Sequence, residues 1–197
     1  AAGVTSTITV AAVNDAPVVT AGGTLAYTEN QAATAIDASV TVSDVDNANV
    51  VSATVQLTTN YVSGQDVLGF TTQAGITGIF TAGTGTLALS GTASTAAYQT
   101  ALRSVTYVNT SENPSPLSRT VTWSVNDGTT ASAAGVTSTI TVAAVNDAPV
   151  NGVPGTQTTG EDTAKVFSTA TGNAISVSDV DNASLTVTLT GTNGTIT

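Results

Sequence analysis

Cysteine, histidine and methionine are all missing from this sequence of 197 residues, and tryptophan occurs once. Without cysteine there is neither a disulfide framework nor a thiol nucleophile. Without histidine the commonest general base is gone, and zinc or copper centres lose their usual ligands. Basic residues number 3 against 13 acidic ones, for a formal net charge of −10. Phosphate backbones and anionic bilayers are met with Lys and Arg, so the balance argues against nucleic acid and membrane surfaces as partners. No apolar run approaches the roughly 18 residues of a membrane span. The start, Ala1-Ala2-Gly3-Val4, lacks the basic and apolar parts of a signal peptide. With one lysine, and no serine beside a plausible base, the chain does not read as an enzyme.

What is present is Thr, Ser, Ala, Val and Gly. Low charge and few aromatics would suit disorder, but 41% of residues are apolar and alternate with period two, which indicates strands. Residues 1–18 return unchanged at 133–150, an offset of 133 − 1 = 132. Ser43-Asp44-Val45-Asp46-Asn47-Ala48 returns unchanged from Ser178, and its offset, 179 − 44 = 135, is three larger. Repeats this long are beads rather than solenoid turns. The register gives residues 1–15 as the last strand of a preceding repeat plus a linker. Residues 16–146 are then one complete domain, and 147–197 the start of the next, incomplete repeat. The chain thus reads as a window on a longer protein.

Within the complete domain strands are expected near 24–28, 35–42, 50–58, 66–71, 85–90, 103–108, 119–125 and 135–145, separated by Gly, Asn and Pro turn signals. Val121, Trp123 and Val125 alternate with Thr120, Thr122 and Ser124, which makes Trp123 the expected core anchor. Tyr61, Phe70 and Phe80 read as core or strand residues, and Arg103 and Arg119 as surface or strand-flank residues. Ser94 to Leu102 breaks the alternation. Tyr98, Leu102 and Val105 fall at i, i+4 and i+7 behind a capping Ser94, so a short helix is expected there. The fold class is all-β: Greek-key β-sandwich repeats joined end to end, with one short helix.

If the strands run up and down in chain order, the acidic residues gather at the ends. Asn14, Asp15, Asp44, Asp46 and Asp127 fall at the top. Glu29, Glu112, Asn146 and Asp147 fall at the bottom, with Asp179 and Asp181 of the next repeat. Glu161 repeats the role of Glu29 one junction later, with Asp162 beside it. Asp37 and Asp66 are left outside this scheme. Clustered carboxylates repel one another unless a cation neutralises them, and an all-oxygen ligand set suits calcium, with magnesium second. The plain alternative is turn chemistry, since Asp caps its own backbone. The stretch is not an EF-hand loop, because Ala48 and Asn49 stand where Asp or Asn and then Gly are required. Asn109-Thr110-Ser111 and Asn193-Gly194-Thr195 match a glycosylation pattern that chance explains in so Thr- and Ser-rich a chain.

Together these residues resemble a cadherin-type repeat, in particular the cadherin-like tandem repeats of large bacterial surface adhesins of RTX type. Glu29 resembles the glutamate of strand A. Asn14-Asp15 and Asn146-Asp147 resemble the linker, and Asp44/Asp46 and Asp179/Asp181 the Asp-x-Asp. Asp127-Gly128 resembles the turn after strand F, and Glu112 the glutamate between strands E and F. Ala16 and Ala148 depart from the animal linker, which carries a second Asn there, so fewer ions or weaker binding is implied. The resemblance implies an extracellular, calcium-rigidified stalk of a bacterial surface protein, whose partners are neighbouring repeats of the same chain. The alternative is a subunit of an extracellular filament, sheath or surface layer, with copies joined by strand complementation.

Overall fold

The computed structural model describes residues 3–196. It falls into two compact units, Ala1–Ala143 and Ala144–Thr197. The first is all-β and sandwich-like with a single short helix, in agreement with the expected class. Its larger sheet has six strands: β2 (Thr24–Thr28), β5 (Asn49–Thr59), β7 (Thr77–Thr81), β8 (Thr86–Ser94), β10 (Arg119–Asn126) and β11 (Thr137–Ala143). Their order is β2-β11-β10-β5-β8-β7. A second group holds β3 (Thr34–Ala35), β9 (Thr106–Asn109) and β6 (Asp66–Gly69), in the order β3-β9-β6, and β1 (Val18–Thr20) pairs with β4 (Thr41–Ser43). Helix α1, Thr95–Arg103, packs against β4, β5 and β8.

Local sequence explains the elements. Along β10 the residues alternate buried and half-buried, so Val121, Trp123 and Val125 face the core while the threonines and Ser124 face out. Trp123 is buried among apolar side chains from both sheets, and Tyr27 meets Tyr107 edge to face with ring centroids 5.0 Å apart. That geometry suits the ring quadrupoles. Helix α1 starts where expected, because the Ser94 hydroxyl accepts from the Ala97 N–H at 3.1 Å and satisfies one orphan donor of the first turn. Its inner face is Tyr98, Ala101 and Leu102. Tyr61, Phe70 and Phe80 pack against the core as expected.

Five expectations are corrected. The strand expected over 35–42 is two short strands, β3 and β4, split by a turn in which Asp37 accepts from the Ser39 N–H at 2.8 Å. The strand expected over 103–108 starts at Thr106, because the helix keeps Arg103. Strands β1 and β7 were not expected at all. Residues 3–13 form no strand, and Val4, Ile8 and Val10 are almost fully exposed; residues 1 and 2 lie outside the described residues. Arg119 is no surface residue but wholly buried.

The strand directions set the two ends of this unit. β1 is antiparallel to β4, and β2 is parallel to β11, which is antiparallel to β10. The chain therefore leaves Asn14 at one end, descends through β1 and β2 to Glu29, returns through β4 to Asp44 and climbs β10 to Asp127. In the second unit β12 (Val150–Gly152) pairs antiparallel with β13 (Ser176–Ser178). Its loop over residues 157–173 is held by buried Asn173, whose amide donates to Gln157 and to the Val166 carbonyl.

Candidate functional site

The acidic stretches form the same small lock in each unit. In the first unit Asp44 Oδ1 accepts from the N–H groups of Asp46, at 2.9 Å, and Asn47, at 2.7 Å. This is the Asx turn that Asp favours. It aims Asp46 so that its Oδ2 accepts from the Asp15 N–H at 2.7 Å. The Asn47 amide donates to Asn14 Oδ1 at 2.7 Å, and the Asn14 amide donates back to the Asp15 carbonyl at 2.9 Å. In the second unit Asp179 Oδ1 accepts from Asp181 and Asn182, Asp181 Oδ2 accepts from the Asp147 N–H at 2.6 Å, and Asn182 donates to Asn146. Every bond of the first lock thus has its counterpart in the second, including the donation of Asn146 to the Asp147 carbonyl.

Asp127 joins the first lock from the far end of β10. Its Oδ2 accepts from the Asn14 amide at 2.9 Å and the Asn47 amide at 3.3 Å, and its Oδ1 from the Thr129 and Thr130 N–H groups, both at 2.6 Å. The Thr130 N–H, the Asn14 amide and the Thr129 N–H together hold its carboxyl below the usual range. The expected set Asn14, Asp15, Asp44, Asp46 and Asp127 is therefore brought to one end. Among the described residues, however, no three of its carboxylates bring oxygens within 4.8 Å of one another. Asp44 Oδ2 is buried with no hydrogen-bond partner. Asn47 and Asn182 were missed, although the unchanged return of all six residues of the stretch was the signal for them.

Glu29 and Glu112 meet at the opposite end. Glu29 sits in the turn after β2, where its N–H donates to the Ala143 carbonyl at 2.9 Å, and its residue is 4% exposed. The neighbouring Asn30 adopts φ 63° and its amide donates to Glu112 Oε2 at 3.2 Å. A carboxylate oxygen of Glu29 lies within 4.8 Å of one of Glu112. The two belong to a group of acidic residues that could hold a metal ion, with Glu29 buried and Glu112 exposed. Glu161 in the second unit is exposed in an equivalent turn, where Asp162 adopts φ 58° as Asn30 does.

The two acids left outside the scheme are both buried. Asp66 is the centre of a network: Tyr107 donates to it at 2.5 Å, Asn109 at 2.7 Å, and Arg119 Nε pairs with it at 3.3 Å. Burial pushes the Tyr107 hydroxyl well above its ordinary range, and the bond to Asp66 adds to the shift. Asn109 is 4% exposed, so its glycosylation pattern is sterically closed. Asp37 accepts from the Ser39 and Ser138 hydroxyls and from the Gly22 and Gly23 N–H groups. Burial pushes its carboxyl up, but these bonds outweigh it and hold the group well below the usual carboxylate range.

No family model matches the chain, and no curated protein or solved structure matches it.

Proposed function

We propose that the chain is a calcium-rigidified structural repeat of a secreted or cell-surface bacterial adhesin, serving as stalk or spacer. The observation that carries this reading is the duplicated lock. In each unit an Asp-x-Asp turn grips the backbone of an Asn-Asp linker through the same bonds. A module whose entry is fixed in the same way each time transmits direction along a chain of repeats. A stalk needs that property, and a catalyst does not.

Calcium is the ion that fits the donors. Every candidate ligand is an oxygen, from carboxylates or amides, as a hard cation requires. The Glu29 and Glu112 pair and the buried, unbonded Asp44 Oδ2 are the oxygens with a reason to take one. Linker residues Asp15 and Asp147 belong to the ligand set on sequence grounds. The proposed role of the ion is to relieve repulsion among these acids and to stiffen the linkers.

Calorimetry with calcium and with chelator tests this. Binding to the folded state alone adds about 2.7 kcal/mol at a hundredfold excess over Kd, so the melting temperature rises with calcium. Superimposable melting curves would remove calcium from the account.

A further inference from the structure

We propose that the first unit bears tension along the chain, and that the parallel ladder between β2 and β11 is the element that resists it. The stalk reading gives this strength its use, while the strength itself follows from strand order and needs no metal ion.

The chain enters β2 at Thr24 and leaves β11 at Ala143. In the parallel register Thr24 stands opposite Thr139, and Ala143 stands opposite Thr28. Entry and exit therefore lie at opposite ends of one ladder. A pull on the chain drives the two strands past each other along their own axes. The ladder holds five residue pairs, and sliding strains them together. Pulling both strands from one end would instead break them one after another. Backbone bonds close the ladder at each end: the Thr139 N–H donates to the Gly23 carbonyl at 3.0 Å, and the Glu29 N–H to the Ala143 carbonyl at 2.9 Å.

Side chains add to the resistance. Leu25 and Tyr27 of β2 and Ile140 and Val142 of β11 are all buried. A slip of one residue would turn the side chains of the moving strand to the opposite face of the sheet. Neither strand can slide without dragging apolar groups out of the core. The path into the ladder is anchored as well. β1 lies against β4 over three pairs, and the Gly22 and Gly23 N–H groups donate to the Asp37 carboxylate at 3.1 and 2.7 Å. Tension arriving at Val18 thus meets β4 and Asp37 before it reaches Thr24.

Forced unfolding follows the height of the unfolding barrier rather than equilibrium stability. Single-molecule force spectroscopy on the full chain therefore tests the ladder. The chain contains no cysteine, so handles can be attached at introduced ones. One protein is held at its two termini. A second is held at the C-terminus and at Ala33→Cys, exposed in the loop after β2, which peels the ladder from the end where Thr28 meets Ala143. The force that unfolds the first unit should be several-fold higher in the first geometry, and equal forces would overturn the proposal. Two variants held at their termini separate the ladder from general stability. Thr141→Pro removes an N–H facing β2, two residues on from Thr139, and should lower the force several-fold. Leu89→Ala opens the core in β8, which β10 and β5 separate from β11. It should lower the urea midpoint with the force almost unchanged. Equal losses of force in the two variants would overturn the ladder as the resisting element, and should Thr141→Pro not fold, the two geometries decide alone. The force on the protein held at its termini should be the same in calcium and in chelator. Collapse in chelator would assign the resistance to bound metal, overturning the ladder and leaving the calcium stalk in place. High force under both conditions, with melting curves blind to calcium, would keep the ladder and remove the calcium.

Discussion

Trp123 is joined to Asp37 through a single hydroxyl. The indole Nε1 donates to Ser138 Oγ at 2.9 Å, and that hydroxyl donates to Asp37 Oδ2 at 2.6 Å. The chain closes the two sheets at the point where it crosses from β1 to β2. There the Gly22 and Gly23 N–H groups donate to the same carboxylate oxygen. A Cβ on Gly23 would stand 2.6 Å from the Asp37 carboxyl, so the crossover is cut to fit the acid.

Asp37 should therefore govern acid stability. Its folded pKa lies below the unfolded value, so the stabilisation is fully present above about pH 4, the ordinary Asp range. It is lost progressively as pH falls below that, through the depressed folded value. Asp37→Asn should flatten this part of the stability curve and cost about 1–3 kcal/mol at neutral pH, through buried donors left poorly matched. Urea melts from pH 7 to pH 2 measure both effects. A variant with the wild-type acid slope would show that other carboxylates set it.

The Arg119–Asp66 pair makes an asymmetric prediction. Both side chains are fully buried, so removing one leaves an uncompensated charge. Arg119→Met or Asp66→Asn alone should cost about 3–5 kcal/mol. The double variant should recover much of that loss, since a buried pair is costly to desolvate and cheap to replace. Denaturant titration of the three variants gives the coupling energy, and strictly additive losses would deny the pairing.

The two locks should respond alike to the same change. Asp46→Ala frees the Asp15 N–H, and Asp181→Ala frees the Asp147 N–H. Hydrogen exchange at each of those amides should accelerate in its own variant and stay unchanged in the other. The global cost of each should be below about 1 kcal/mol, as for exposed polar contacts generally. Unaltered exchange at Asp15 in Asp46→Ala would mean that the linker is held by something else.

Glu29 and Glu112 should carry part of the calcium response. Glu29→Gln with Glu112→Gln removes their repulsion and the ligand charge together. The double variant should melt higher than wild type in chelator and gain less from calcium. Scanning calorimetry in both conditions decides it, and an undiminished calcium gain would release this pair from the site.

How much was legible in the sequence depended on where each partner lies. The alternation of β10, the helix behind Ser94 and the Asx turns of Asp44 and Asp179 involve neighbours within one element or one turn, and their local chemistry announces them. The gathering of Asn14, Asp15, Asp46 and Asp127 followed from strand direction, because antiparallel strands of similar length return acids to the same end. Strands β1 and β7 were not legible, since short Thr- and Gly-rich runs carry little periodicity of their own.

By itself the sequence determined the repeat, the β class, the single helix and the sorting of acidic residues to opposite ends. Each of these is a matter of period, spacing or exact recurrence. Only the tertiary structure decided the fate of Asp37, Asp66 and Arg119. The partners of Asp37 and Asp66 in Ser138 and Arg119 are 101 and 53 residues away. A carboxylate or guanidinium looks the same in sequence whether water or a distant chain segment solvates it. It becomes buried only when packing brings hydrogen-bond partners that offset the lost water, and no local pattern encodes that meeting.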